Sequence, residues 1–160
     1  MRTGSAFGRF DGSDPQFLEV GGFNIGTLEP LNCNFGFGQL IVGQPGQSKE
    51  VHLRDAYDNG NGHDLCGEGR EALYLFGVDS DPNGLVINNG STLVLDALDI
   101  YVRQNGGFIH INDLFGEDEM EISFDGGIIR KGSPFPDADS DGDGYGDVCE
   151  ADLNNDGNVD

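Results

Sequence analysis

The chain has no tryptophan, and its 160 residues hold only eight lysines and arginines against 29 aspartates and glutamates. The formal net charge is -21. A nucleic-acid backbone would be repelled by that field, and no basic cluster offsets it. Electrostatic adhesion to an anionic membrane is disfavoured on the same ground. No apolar run reaches the roughly 18 residues needed to cross a bilayer, so membrane insertion is not expected. Nor does an apolar leader follow Met1-Arg2-Thr3-Gly4. Cysteine is scarce: only Cys33, Cys66 and Cys149 are present. An odd count permits one disulfide and one leftover thiol, or three thiols. Joining Cys33 to Cys66 would close a loop of about 34 residues, worth roughly 3–4 kcal/mol on the loop-entropy account.

What is present is glycine, 27 residues of it with no collagen period, and eleven phenylalanines. Residues 1–16 are rich in Gly, Ser and Asp and read as an N-terminal arm that docks or stays loose. From Phe17 onward short apolar runs take over: FLEV, FNIG, FGFGQLIVG, EVHLRD, ALYLFG, STLVLDALDIYV, GFIHIND and MEISFDGGIIR. Each is rich in Val, Ile, Leu or Phe and is broken by Gly, Asn or Asp, the signature of strands and tight turns. The expected fold is therefore all-β. Over 17–133 a short β-solenoid is preferred, with a β-sandwich as the alternative. Coils of about 20–25 residues would make about five turns, a stack of roughly 25 Å at the spacing of paired strands.

The phase within these runs carries detail. Leu93 and Leu95 alternate with Val94 and Asp96, whereas Leu98, Ile100 and Val102 keep the opposite parity. A slip of one residue at Ala97–Leu98 is expected at a bulge or a corner between two strands. Residues 112–121 suggest a helical turn, with Asn112 or Asp113 as its N-cap. The stretch GSPFP closes the body, since two prolines end the last strand. Residues 134–160 are then a separate tail.

That tail carries the chemistry. Residues 137–160 contain nine acidic side chains, no basic one and four glycines. Asp139, Asp141, Asp143, Gly144, Tyr145, Asp147 and Glu150 occupy positions 1, 3, 5, 6, 7, 9 and 12 of the calcium-loop pattern D-x-[DN]-x-[DN]-G-x5-E. Calcium takes six to eight oxygens at about 2.3–2.6 Å. Carboxylates at alternate positions supply them, the Tyr145 carbonyl adds one, and Glu150 chelates with both oxygens. Gly144 permits the sharp turn. A second loop starts at once, with Asp152, Asn154, Asp156, Gly157, Asn158 and Asp160 at positions 1, 3, 5, 6, 7 and 9. Its twelfth position lies beyond residue 160, and a neighbouring subunit is expected to supply that oxygen. An overlapping register through Asp137, Asp139 and Asp141 offers a further ion. The preceding IIRKGSPFPDA cannot be a helix, so these are structural loops rather than a helix-flanked sensor.

DADSDGDGYGDVCEAD resembles a thrombospondin type 3 repeat, and DLNNDGNVD resembles the first calcium loop of a dockerin. The segments VHLRDAYDNGNGHD, EALYL and GLVINNGSTLVLDALDIYV are similar to β-solenoid segments of secreted bacterial surface proteins, a resemblance that covers about residues 50–130. The resemblance implies bound Ca2+, an extracellular or cell-surface location and an architectural role. It implies no activity, and the sequence has none of the common hydrolase, metalloprotease or phosphate-loop motifs. The expectation is a non-enzymatic protein that assembles with itself into a filament. The alternative is a dockerin-like or carbohydrate-binding module that attaches to a scaffold protein or polysaccharide. No cap is evident at either end of the body, and open β-stacks tend to join end to end.

Four weaker candidates remain. Asp55, Asp58, Asn59, Asn61 and Asp64 crowd one stretch, either as a cation loop or as a polar turn. Asp79, Asp81, Asn83 and Gly84 begin like a calcium loop but lack acids at positions 9 and 12. Cys33, His52, His63 and Cys66 match a zinc ligand set only by residue type. Asn89-Gly90-Ser91 is a glycosylation sequon and also a strong turn.

Overall fold

The computed structural model describes residues 7–13, 15–26, 36–55, 71–96 and 98–132. The described chain is all-β, with one turn of 3-10 helix. The strands are β1 (Phe7–Phe10), β2 (Gln16–Glu19), β3 (Gly36–Phe37), β4 (Gln39–Val42), β5 (Glu50–Arg54) and β6 (Ala72–Leu75). They continue with β7 (Leu85–Ile87), β8 (Thr92–Leu95), β9 (Asp99–Gln104), β10 (Gly107–His110), β11 (Glu121–Phe124) and β12 (Gly127–Lys131). The 3-10 turn, η1, spans Ile111–Leu114.

Three sheets result. The first is β1-β4-β7, the second β3-β6-β9-β10, and the third β2-β5-β8-β12-β11. Neighbours are parallel except at two hairpins, β9–β10 and β11–β12. From β3 to β8 the chain visits the second, first and third sheets in that order, twice over. The register is regular: Gln16, Val51, Leu93 and Ile129 share one lateral row of the third sheet, 35, 42 and 36 residues apart. These passes are longer than the expected 20–25 residues. Short strands are separated by long connections, such as the one from Asp55 to Glu71, which sequence periodicity counts poorly.

All three sheets turn one set of side chains into a common core. Leu40 and Val42, Val51 and Leu53, Leu73 and Leu75, Leu85 and Ile87, Leu93 and Leu95, Ile100 and Val102, and Ile129 are buried there. Each such side chain stabilises the fold by roughly 1.5–3 kcal/mol through removal from water. The parity slip falls where the chain passes from the third sheet to the second. Leu95 ends β8 in the third sheet, Leu98 and Ile100 point inward from the second, and all three are buried. Such passages need backbone freedom. Gly43 has φ +71, and a Cβ there would collide with Ser91 Oγ and the Gln47 carbonyl.

The two ends of the stack differ. At the first, β1, β2 and β3 are the edges of their sheets. Phe7–Phe10 of the expected arm therefore lies as a strand along β4. At the other end the chain doubles back. Asn105 (φ 50) and Gly106 (φ 85) turn β9 into β10, in the left-handed conformation that an Asn-Gly hairpin turn requires. Ile109, Phe115, Ile122 and Phe124 pack against the core there, and Ile111 is fully buried. No cap is expected at either end, yet this one is covered by apolar hairpins. The expected helical turn at 112–121 is η1. Neither Asn112 nor Asp113 caps it, because His110 holds the N-cap position without a side-chain bond. Asn112 instead reaches back to β9: its Oδ1 accepts from the Ile100 N–H (3.1 Å) and its Nδ2 donates to the Leu98 carbonyl (2.9 Å).

Candidate metal centre

The twelve expected ligands, Asp137, Asp139, Asp141, Asp143, Tyr145, Asp147, Glu150, Asp152, Asn154, Asp156, Asn158 and Asp160, lie outside the described residues, as do the three cysteines, His63, Asp58, Asn59, Asn61 and Asp64. Asp55 is described, and the fold brings it to two acids that sequence spacing does not connect. Glu19 ends β2, Asp55 follows β5, and Glu71 precedes β6. One carboxylate oxygen from each lies within 4.8 Å of the others.

Strand pairing makes this meeting. The β2–β5 register sets Glu19 opposite Arg54, and the Val20 N–H donates to the Arg54 carbonyl at 2.9 Å. Asp55 therefore leaves β5 beside the end of β2. Glu71 arrives by a bridge to Phe23, and its N–H donates to Asp55 Oδ2 at 3.4 Å. Glu71 is fully buried, Asp55 is half-buried and Glu19 is exposed. Two ionised carboxylates at this separation repel by about 3 kcal/mol at an effective dielectric near 20. A divalent cation between them reverses that sign, and an all-oxygen donor set suits calcium or magnesium rather than zinc.

The other candidates resolve differently. Asp79–Gly84 is a tight turn, closed by Val78 N–H to the Asp81 carbonyl (2.8 Å) and Asp81 N–H to the Val78 carbonyl (3.1 Å). Both Asp81 oxygens are engaged, Oδ1 by the Asn83 N–H (3.0 Å) and Oδ2 by Gln39 Nε2 (2.9 Å). That carboxylate braces buried Gln39. His52 faces outward from β5, with Nε2 2.9 Å from Glu50 Oε1 and Nδ1 3.8 Å from Asp96 Oδ2. Asn89 is exposed on the turn between β7 and β8, while Ser91 is buried and accepts the Lys49 N–H at 3.1 Å.

A second constellation, not anticipated from the sequence, sits on the outer face of the second sheet. Register aligns Tyr74, Tyr101 and His110, whose rings stack at 4.9 and 4.6 Å. His110 Nε2 lies 2.7 Å from Asp99 Oδ1, and its Nδ1 lies 3.0 Å from Asp113 Oδ1. Burial pushes the Tyr101 hydroxyl up to about 12, and the charge of Asp99, then Tyr74 and Asp113, push the same way. Burial likewise raises Tyr74, against the opposing hydrogen bond from the Ile25 N–H. A period-two pattern marks Tyr74 and Tyr101 as outward residues, but only strand register shows that they touch.

Comparison with protein-family models, with curated proteins and with solved structures finds no match for this chain.

Proposed function

We propose that the chain is a calcium-stabilised extracellular structural protein, a short β-solenoid whose units assemble head to tail into a surface filament. The observation that carries this reading is the placement of exposed large apolar groups. Phe17, Phe23 and Phe37 lie at the end formed by β1, β2 and β3, while Leu114 and Met120 flank the opposite edge strands β10 and β11. Among the described residues, the intervening strands β4 to β8 contribute none. Exposed sheet edges with apolar neighbours are templates for pairing. Translation along the stack would bring β11 of one unit beside β2 of the next, and β10 beside β3. Both junctions would be antiparallel, because β10 and β11 run against their sheets.

Two acidic sets support the calcium part of the reading: the twelve-position pattern at 139–150, and the carboxylates of Glu19, Asp55 and Glu71. With a net charge of -21, self-association is opposed by repulsion unless cations neutralise it. A second reading, attachment to a polysaccharide, is favoured by Phe17. Its ring is 47% exposed on the outer face of the third sheet, with the Arg54 guanidinium 3.6 Å from its centroid. Light scattering and electron microscopy of the purified chain with and without calcium separate the two. Calcium-dependent growth in mass with fibrous particles is expected; a compact monomer in both conditions overturns the filament.

A further inference from the structure

Between β2 and β3 the chain leaves the third sheet and crosses onto the outer face of the second. Its Gly22 carbonyl accepts the Ala72 N–H at 2.8 Å, and Phe23 bridges Glu71. Asn24 then reaches residues 75 and 77 positions away. Its Nδ2 donates to Asp99 Oδ2, and its Oδ1 accepts the Tyr101 hydroxyl (3.2 Å) and the Gly26 N–H (2.9 Å). The next amide, Ile25 N–H, donates to the Tyr74 hydroxyl at 3.2 Å. The crossing therefore covers the tyrosine ladder with polar contacts, while Ile25 packs on it only partly buried.

We infer that residues 24–26 form a strap latched by Asn24, which opens while Gly22 and Phe23 stay paired and the three-sheet stack stays folded, and so uncovers Tyr74, Tyr101 and Asp99. The contrast in packing argues for it. Asn24 and Gly26 are exposed, whereas the strands beneath bury side chains that are 0–5% exposed. Segments that bury little apolar area open at lower free energy than the core. Opening removes one carboxamide and one amide N–H from two phenol hydroxyls and a carboxylate. All three are small polar groups that water or a hydroxyl- or amide-bearing ligand satisfies equally well. The latch is also sensitive to its partner's chemistry, since Tyr101 donates to Asn24 only while its hydroxyl keeps its proton.

Native-state hydrogen exchange of the full chain in low urea tests the strap. The Ile25 amide should exchange at least about tenfold faster than those of Leu93 and Val102, through an opening insensitive to urea. In Leu93→Ala the Val102 amide should quicken while Ile25 keeps its rate, because the closed and opened strap share the same core, and in Asn24→Ala the Ile25 exchange should quicken further. Tyr74→Phe, which removes the acceptor of the Ile25 amide, should act likewise. If Ile25 exchanges only with the urea-dependent global opening that exposes Leu93, the strap is an integral part of the fold and the inference is wrong. An Ile25 rate that rises together with that of Val102 in Leu93→Ala overturns it as well.

Discussion

Raising the pH should weaken the fold through Tyr101, and the size follows from its surroundings. The side chain is 5% exposed, flanked by Asp99 and stacked between Tyr74 and His110. Its hydroxyl is held near 12 against an ordinary value of 10.0. Below pH 10 the phenol is protonated in both folded and unfolded chains, so its hydrogen bond to Asn24 is fully present. Between about 10 and 12 the unfolded chain releases the proton and the folded chain does not. The folded state then binds more protons, and stability falls as pH rises. For a two-unit separation the loss between pH 9 and pH 11 is about 1.3 kcal/mol, from an upper limit of about 2.7 kcal/mol well above both values. Urea unfolding of wild type and Tyr101→Phe at the two pH values isolates this group from lysine titration. At pH 9 the wild type should be more stable by roughly 0.5–1.5 kcal/mol, the usual net value of one hydrogen bond. By pH 11 that advantage should vanish or reverse. A stability difference that stays constant across this range refutes the account of Tyr101 as a buried, protonated donor.

Two further outcomes are expected. Leu93 is fully buried in the middle of the third sheet, and Leu93→Ala should cost about 2–5 kcal/mol by chemical denaturation without changing the strand content seen by circular dichroism. Calorimetry should record calcium uptake at millimolar concentration or below, reduced in steps by Glu150→Gln and by Glu71→Gln. At 100 times its dissociation constant each ion adds about 2.7 kcal/mol to stability, so the melting temperature should follow the same order. No uptake at millimolar calcium refutes both sites.

Local pattern determined more of this protein than its unusual composition suggests. Alternation in TLVLD and LDIYV set Leu93 and Leu95, and then Leu98, Ile100 and Val102, on one face each, because a strand must send alternate side chains to opposite faces, and all five are buried. The slip at Ala97–Leu98 falls at the passage from the third sheet to the second. The calcium-loop pattern at 139–150 is an expectation from twelve consecutive residues that lie outside the described ones. Meetings across the chain had no such signature. Glu19, Asp55 and Glu71 are 36 and 16 residues apart in sequence and converge because β5 pairs beside β2 and β6 starts against Phe23. Asn24 meets Tyr101 across 77 positions for a like reason. The hairpins that cover the far end were also decided by tertiary structure. QNGG and FDGG look like any other corner in a glycine-rich chain, and whether a turn leads on to the next sheet or doubles back depends on which edge is left for the following strand to pair with.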